Sequence, residues 1–216
     1  MDSTIAIVGA GVGGLATAAL AHDAGHRVTL FERFETPRPL GSGLVIQPVG
    51  LAVLDAIGAG AQARAMGQPI THMLGHEVSG REVLNVAYRS AAPGLALHRS
   101  ALFQTLWDQC LARAIPVITS ATVDSAPLSA DKREIALTDG RRFGPFDLVV
   151  DTSGAASRLS PLTARALPFG AVWGTVPWPD GCDFAPDQLR QCYRAARNMV
   201  GVLPLGPVSY THLRAH

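Results

Sequence analysis

The sequence predicts an α/β fold that begins with a βαβ unit, and three observations within residues 5–32 lead to this prediction. A short apolar run, residues 5–8, leads into a glycine-rich turn at residues 9–14, Gly-Ala-Gly-Val-Gly-Gly. A helix-forming stretch follows, and Gly25 is a natural residue to end it. A second apolar run, residues 28–31, then leads directly to Glu32. Strand, glycine turn, helix, strand and acid in this order indicate a Rossmann-like dinucleotide-binding unit.

Each residue of the turn has a physical role in such a unit. Gly9 permits the tight turn out of the strand, and Gly11 lets a pyrophosphate approach the backbone. Gly14 lets the helix pack close to the sheet. The N–H groups at the start of the helix, around Val12 and Gly13, carry a partial positive charge that attracts phosphates. We therefore expect these residues to bind the phosphates of a dinucleotide.

The acid at the end of the second strand limits the choice of ligand. Glu32 lies 18 residues after Gly14, close to the roughly 20 expected for an acid that accepts a hydrogen bond from a ribose. A carboxylate here disfavours a ribose 2′-phosphate, and NADP with it. NAD and FAD both stay open, as does a glycine-rich turn that binds nothing.

Composition indicates a globular chain and gives no reason to expect nucleic acid or a membrane as a partner. Of the 216 residues, 48% are hydrophobic and 16% charged, and the net charge is +1 at pH 7. This charge offers no attraction for nucleic acid or an anionic membrane surface. No uninterrupted apolar stretch reaches the roughly 18 residues of a membrane span.

The cysteines and the N-terminus favour a cytoplasmic location. Cys110, Cys182 and Cys192 are odd in number and form no Cys-x-x-Cys pair, so a disulfide framework is not expected. Asp2 stands where a secretory signal would carry basic residues, and only four apolar residues precede the glycines.

Helices are predicted where apolar residues recur at a spacing of three or four. The predicted helices cover residues 14–24, 51–57, 101–113 and 186–195. Ser100 is a good N-cap for the third of them, and Gly58 closes the second.

Strands are predicted where short apolar or alternating runs are bounded by turn residues. The predicted strands cover residues 4–8, 28–31, 70–78, 82–88, 116–120, 133–137, 142–143, 146–150, 168–176 and 199–203. Asp139-Gly140 is a strong hairpin signal. The run 146–150 is almost wholly apolar, which suits a central buried strand.

Polar residues near two predicted elements are further candidates for ligand contact. Arg99 precedes the helix 101–113 and could reach a phosphate held by the first turn; a solvated surface arginine is the alternative. Ser153 and Gly154 lie in a small polar turn after the strand 146–150, where ligands bind in open α/β sheets. His72 and His76 lie on one predicted strand, and no metal site is expected there.

Taken together, these features resemble the FAD-dependent monooxygenases of the p-hydroxybenzoate hydroxylase type. The resembling segments are the glycine turn with Glu32-Arg33, the glycine loop and short strand from Gly41 to Pro48, His98-Arg99 at the head of a helix, the turn Asp147 to Arg158, and Trp173 to Pro177. They span roughly residues 4–205.

The resemblance implies a fold, a chemistry and a set of contacts. The fold is a Rossmann-like FAD-binding domain over residues 1–163, with a β-rich insertion near 68–98, and the start of a β-sheet substrate domain over 164–207. The implied enzyme uses NADH or NADPH and O2 to hydroxylate an aromatic or polycyclic small molecule. It also implies FAD contacts at Arg33, Gly43, Arg99, Val123, Ser153 and Gly154. No catalytic residue is assigned, although Gln47 is expected near the active site.

Two departures from the family pattern qualify this expectation. The family's Gly-Ala-Asp-Gly is here Asp151-Thr152-Ser153-Gly154, so Ser153 replaces an aspartate, which weakens an inference about nicotinamide use. The family's later Gly-Asp motif does not occur in the sequence. We therefore expect an N-terminal part of a longer enzyme, with a non-native tail over residues 208–216; a genuine short terminus is the alternative.

Two other functions stay open. Another FAD enzyme on the same scaffold, a halogenase or a reductase, would share the glycine turn. A catalytically inactive nucleotide-binding fragment would share it too. Oligomeric state does not follow from the sequence.

Overall fold

The structure of the protein is a computed structural model that describes residues 2–37, 42–88, 92–162, 165, 167–178, 181–195, 197–206 and, as backbone, 209–215. The chain divides into two compact units. The first unit comprises Met1–Pro39, Ala56–Ala59 and Phe103–Arg165, and the second comprises Leu40–Asp55, Gly60–Leu102 and Ala166–His216. The domain ranges expected from the sequence, 1–163, 164–207 and 208–216, stay a prediction.

The elements follow one another in a mixed α/β order. The helices are α1 (Val12–Asp23), α2 (Pro48–Ala56), α3 (Gly60–Met66) and α4 (Arg99–Ala112). The strands are β1 (Thr4–Val8), β2 (Arg27–Phe31), β3 (Gly43–Ile46), β4 (Gln68–Ile70), β5 (His72–Glu77), β6 (Glu82–Ala87), β7 (Gly94–His98), β8 (Val117–Ile118), β9 (Val123–Ser125), β10 (Leu128–Ser129), β11 (Lys132–Leu137), β12 (Arg142–Phe146), β13 (Leu148–Asp151), β14 (Ala171–Pro177), β15 (Gln188–Arg194), β16 (Asn198–Gly206) and β17 (Ser209–Ala215). In the described part of the chain, none of the helices combines the length and apolarity that a membrane crossing requires.

The predicted βαβ unit is confirmed, and it forms the centre of the first unit. Strands β13, β1, β2 and β8 make a sheet in that order, and all neighbours are parallel. Val8, the last residue of β1, is level with Phe31 on one side and with Asp151 on the other. The carboxyl ends of three strands therefore meet at one edge, where open parallel sheets bind their ligands.

A second sheet in the first unit packs an apolar cluster against the first one. It is built from β9, β10, β11 and β12, and the predicted hairpin at Asp139-Gly140 joins β11 to β12. The Phe31 ring meets the rings of Phe143 and Phe146 edge to face, with centroids 5.2 and 5.9 Å apart. The buried members of this cluster are Ala6, Val8, Phe31, Ala121, Val123, Ile135, Leu137 and Phe146. Burying this apolar surface holds the end of β2 in place, and with it the position of Glu32, the next residue.

The second unit contains two further sheets. Six strands are ordered β14-β17-β16-β15-β5-β6, and three are ordered β3-β7-β4. A buried apolar cluster joins residues of β4, β7, β15 and β16: Ile70, Ala96, Leu189, Leu203 and Leu205.

The predicted helix over residues 186–195 is wrong, because Gln188–Arg194 is strand β15. This strand pairs with β5 in parallel and with β16 in antiparallel orientation, so both of its edges are hydrogen-bonded. Leu189 is buried in the apolar cluster. Pairing with two neighbours overrides the weak helical pattern, as tertiary context often does.

The single strand predicted over residues 70–78 is divided in two. Ile70 ends β4 in one sheet, and His72 begins β5 in another. Between them, the Thr71 N–H donates to the Asp187 carbonyl oxygen (2.8 Å), and the Thr71 hydroxyl donates to Asp187 Oδ2 (2.7 Å). These bonds with a residue far along the chain hold Thr71 where the strand changes sheets.

Three smaller expectations also need correction. The strand placed over 146–150 is not central: β13 lies at an end of its sheet among the described residues, and Leu148 is 50% exposed. Helix α3 was not expected. Ser100 is not the N-cap of α4, because the helix begins at Arg99 and the ring Nδ1 of His98 accepts the Ser100 N–H (3.2 Å).

One arginine ties the ends of two helices in the first unit together. The Arg113 guanidinium donates to both carboxylate oxygens of Asp23 (2.7 and 2.6 Å), and also to the carbonyl oxygens of Gln109 and Ile57 (3.0 and 3.1 Å). These hydrogen bonds hold the pKa of the Asp23 carboxyl below its usual value, although partial burial opposes the shift.

We expect Asp23→Asn to lower the free energy of unfolding at pH 7, by less than about 1 kcal/mol because the pair is partly exposed. A lowered folded-state pKa stabilises the fold above the unfolded value of about 3.9, and this contribution is lost as pH falls through the folded value. Urea titrations from pH 7 to pH 3 should therefore show that the difference in unfolding free energy between the variant and the wild type becomes smaller as the pH falls. Asp131→Asn, at an exposed turn, is the control; equal stability of Asp23→Asn and wild type at pH 7 would contradict the expectation.

Candidate FAD site

The turn after β1 begins at a position that only glycine fits. Gly9 has φ +101°, a conformation that side chains disfavour, and its N–H donates to the Phe31 carbonyl oxygen (2.8 Å). A Cβ built on Gly9 would lie 2.7 Å from the carbonyl oxygen of Thr152 and 2.9 Å from the Cα of Ser153. Backbone conformation and lack of space thus both require glycine here.

Helix α1 packs against this turn without room for a side chain at Gly14. A Cβ on Gly14 would lie 1.9 Å from the carbonyl oxygen of Gly9 and 2.7 Å from Thr152 Oγ1. The first distance is far below any van der Waals contact. The helix can therefore start this close to the sheet only because residue 14 is glycine.

The two other glycines of the turn face open space. A Cβ on Gly11 or on Gly13 would meet no atom of the described chain within 4 Å. Gly11 is the N-cap of α1, and it has no side chain that could cover the first N–H groups of the helix. Those groups lack acceptors within the helix, and they lie at its positive end. The turn is therefore a cradle into which a pyrophosphate fits.

Glu32 connects the glycine turn to the chain that follows β2. Its side chain is buried, with Oε2 accepting the Ala10 N–H (2.8 Å) and Oε1 accepting the Phe34 N–H (3.0 Å). A carboxylate oxygen has more than one acceptor site, so a ribose hydroxyl can still donate to it. The structure thus shows that Glu32 braces the turn, which the sequence did not reveal, and its contact with a ribose stays a prediction.

Two other predicted contacts lie near the end of β2 or in the second sheet of the first unit. Arg33 is exposed, and its guanidinium lies 4.7 Å from the centre of the Phe34 ring, in cation–π range. Val123 is buried in the apolar cluster and is level with Leu137 of β11. Their contacts with FAD stay a prediction.

The turn after β13 meets the glycine turn at the same sheet edge. The hydroxyls of Ser153 and Ser157 both donate to the Asp151 carboxylate, and the Ser153 N–H donates to it as well (3.0 Å). Burial raises the pKa of the Asp151 carboxyl, but these hydrogen bonds outweigh burial and leave the pKa below its usual value. Gly154 has φ +87° and open space around its Cα within the described chain. Ser153 therefore faces a carboxylate of the chain itself.

Thr152 lies between these two turns and was not singled out from the sequence. Its hydroxyl is 2.8 Å from the Val8 carbonyl oxygen and 2.9 Å from that of Gly9. The only sequence signal was a hydroxyl residue two positions after the strand predicted over residues 146–150.

The remaining predicted residues belong to the second unit. Gly43 begins β3 and is level with His98 of β7. Arg99 is exposed, and its N–H donates to the Ser42 carbonyl oxygen (3.0 Å). Gly41 lies outside the described residues. The expected FAD contacts of Gly43 and Arg99 stay predictions.

Comparison with known proteins identifies the family. Residues 2–132 match the family described as "FAD binding domain". The chain belongs to this family. It is 31% identical over 189 residues to 3-hydroxybenzoate 6-hydroxylase of Klebsiella oxytoca, covering 81% of this chain and 47% of that protein. It is 26% identical to aurachin C monooxygenase/isomerase of Stigmatella aurantiaca, covering 94% of this chain and 54% of that protein.

Solved structures share the fold of this family member. The crystal structure of Klebsiella pneumoniae HpxO complexed with FAD and uric acid matches with a TM-score of 0.81, at 18% identity, over 99% of this chain and 56% of that one. A 2-methyl-3-hydroxypyridine-5-carboxylic acid oxygenase matches with a TM-score of 0.80, at 16% identity, over 100% of this chain and 59% of that one. The chain thus spans about half the length of the curated relatives it matches.

These findings confirm the family and the fold class predicted from the sequence. They also decide between the two ligands that the residues left open, because the domain of this family binds FAD. The open cradle at Gly11 and Gly13 fits the pyrophosphate of that cofactor.

The two kinds of glycine in the turn give a matched pair of variants. We expect Gly14→Ala to lower the melting temperature of the FAD-free chain strongly, because its Cβ would overlap the Gly9 carbonyl oxygen. Gly13→Ala has open space within helix α1 and should be neutral or stabilising, by up to about 1 kcal/mol. Circular dichroism melts of both variants check this; equal melting temperatures would contradict the close packing at Gly14.

Proposed function

We propose that the whole protein is an FAD-dependent monooxygenase that uses NADH or NADPH and O2 to hydroxylate an aromatic or polycyclic small molecule. The open pyrophosphate cradle at Gly11 and Gly13 carries the FAD part of this proposal. The reaction is supported by relatives named as hydroxylases or monooxygenases, among them 3-hydroxybenzoate 6-hydroxylase. A cytoplasmic location, supported by the free cysteines Cys110, Cys182 and Cys192, is part of the same proposal.

The chain's own residues would bind and orient the cofactor. FAD, when bound, supplies the redox chemistry and the activation of oxygen. The N–H groups at the start of α1 would hold the pyrophosphate, and the Glu32 carboxylate would accept a hydrogen bond from the adenosine ribose. The proposed FAD contacts are Gly9, Gly11, Val12, Gly13, Gly14, Glu32, Arg33, Gly43, Arg99, Val123, Ser153 and Gly154.

One polar pair in the second unit supports an approach of the substrate to Gln47. The Tyr88 hydroxyl donates to Gln47 Oε1 (2.9 Å), and the Tyr88 ring packs against the apolar cluster of that unit. Gln47 is exposed, so its amide N–H groups can donate to a substrate. No catalytic acid or base is assigned.

The activity test uses the whole protein with FAD, NADH or NADPH, oxygen and a panel of hydroxylated benzoates and quinolones. The expected result is substrate-dependent NAD(P)H oxidation and a product heavier by one oxygen atom. A product that requires halide would instead show a halogenase. Reduction of FAD by NADH or NADPH without insertion of oxygen into a substrate would show a reductase. Binding of FAD without any turnover would show an inactive module. Each of these outcomes overturns the monooxygenase proposal.

The ribose role of Glu32 can be tested separately on the 216-residue chain. ADP is the adenosine half of FAD, and 2′-deoxy-ADP lacks one hydroxyl that the carboxylate could accept. We expect the wild type to bind ADP at least about tenfold more tightly than 2′-deoxy-ADP, because a hydrogen bond to a carboxylate is worth about 1.5–3 kcal/mol. Glu32→Ala, which has no acceptor at this position, should bind the two equally. Calorimetric titrations check this; equal binding by the wild type would remove Glu32 from the ribose site.

A further inference from the structure

The hydroxyl of Thr152 contacts the glycine turn at both of its ends. Thr152 directly follows β13, and its N–H donates to the Val8 carbonyl oxygen (2.9 Å). Its Oγ1 lies within hydrogen-bonding distance of the carbonyl oxygens of Val8 and Gly9, at 2.8 and 2.9 Å. The same Oγ1 would lie 2.7 Å from a Cβ on Gly14. One side chain therefore touches the first and the last glycine of the turn.

Thr152 and Glu32 hold opposite ends of a single peptide group. The peptide that joins Gly9 to Ala10 is planar, so its C=O and N–H point in opposite directions. The one proton of Thr152 Oγ1 is shared between this carbonyl oxygen (2.9 Å) and that of Val8 (2.8 Å), and Glu32 Oε2 accepts the peptide N–H (2.8 Å). Rotation of this peptide would break both hydrogen bonds. Its orientation is therefore fixed before a ligand arrives.

The orientation of this peptide determines where the next N–H groups point. Gly11 directly follows it, and Gly11 is the N-cap from which α1 starts. If the Gly9 carbonyl turned outwards, its negative end would face the cradle that the pyrophosphate occupies. A hydroxyl that keeps this carbonyl turned inwards therefore favours anion binding, although it does not touch the anion itself.

We propose that Thr152 is a positioning residue for the FAD pyrophosphate and that it acts through the Gly9–Ala10 peptide. This inference rests on the FAD-binding assignment of the domain. On this proposal, the turn after β13 contributes to the affinity for FAD through the hydrogen bonds of Thr152 to the backbone carbonyl oxygens of Val8 and Gly9.

The test compares variants of Thr152 with a matched variant elsewhere in the first unit. Thr152→Val keeps the side-chain shape and removes the hydroxyl, whereas Thr152→Ser keeps the hydroxyl. Thr105→Val is the control, because Thr105 is fully buried in α4 and its hydroxyl has no hydrogen-bond partner in the described part of the chain. The measurements on the 216-residue chain are the Kd for FAD and for ADP, and the melting temperature of the FAD-free form.

We expect Thr152→Val to weaken FAD and ADP binding about fivefold, the value of one ordinary hydrogen bond. Thr152→Ser should bind within twofold of the wild type, and Thr105→Val should bind like the wild type. In the Glu32→Ala background, Thr152→Val should cost less than fivefold, because the Gly9–Ala10 peptide has already lost the acceptor of its N–H. A purely structural role would instead lower the melting temperature of Thr152→Val and leave its affinity for FAD and ADP, measured where the variant is folded, unchanged.

The outcomes separate the inference from the assignment on which it rests. Wild-type affinity for FAD and ADP in Thr152→Val would overturn the role of Thr152 and leave the FAD site intact. Failure of the wild-type chain to bind FAD or ADP would overturn both. If Thr152→Val does not fold, Thr152→Ala against Thr152→Ser gives the same comparison, and equal affinities of those two would also overturn the proposal.

Discussion

Helix α1 lies against the turn that precedes it so closely that the Cα of Gly14 meets the carbonyl oxygen of Gly9. A methyl group at Gly14 would be 1.9 Å from that oxygen. This contact sets where the helix starts, and with it the direction of its first N–H groups and its positive end. Because the same carbonyl accepts the Thr152 hydroxyl, the close approach also fixes where the turn after β13 must lie.

The parallel sheet of the first unit supplies the partners of this contact from distant parts of the sequence. Val8, Phe31 and Asp151 end their strands at one level. The residues that follow each strand, Gly9, Glu32 and Thr152, therefore meet at one edge of the sheet. Their hydrogen bonds restrain the turn without using the open space at Gly11 and Gly13. Hydrogen bonds thus hold the Gly9–Ala10 peptide in place, while Gly11 and Gly13 stay accessible to a ligand. This combination suits a preorganised anion site.

The geometry of the βαβ unit could be predicted because its signals are local. A glycine with positive φ, a glycine beneath a helix and an acid after a strand each depend on neighbours within about one βαβ unit. The same holds for the hairpin at Asp139-Gly140. Thr152 escaped prediction because its role depends on Val8 and Gly9, which become its neighbours only when β13 pairs with β1.

The second unit resisted prediction for the same reason, on a larger scale. Strand β15 has a sequence that favours a helix about as well as a strand, and its state is decided by β5, more than a hundred residues earlier in the chain. The chain passes from one sheet to another at Thr71, and Asp187 holds Thr71 there by accepting hydrogen bonds from its N–H and its hydroxyl. The glycine turn of the first unit is formed by one short segment, whereas the second unit depends on pairing between distant segments. The first 32 residues therefore predict a dinucleotide-binding unit by themselves, whereas the strand pairing of the second unit becomes visible only in the tertiary structure.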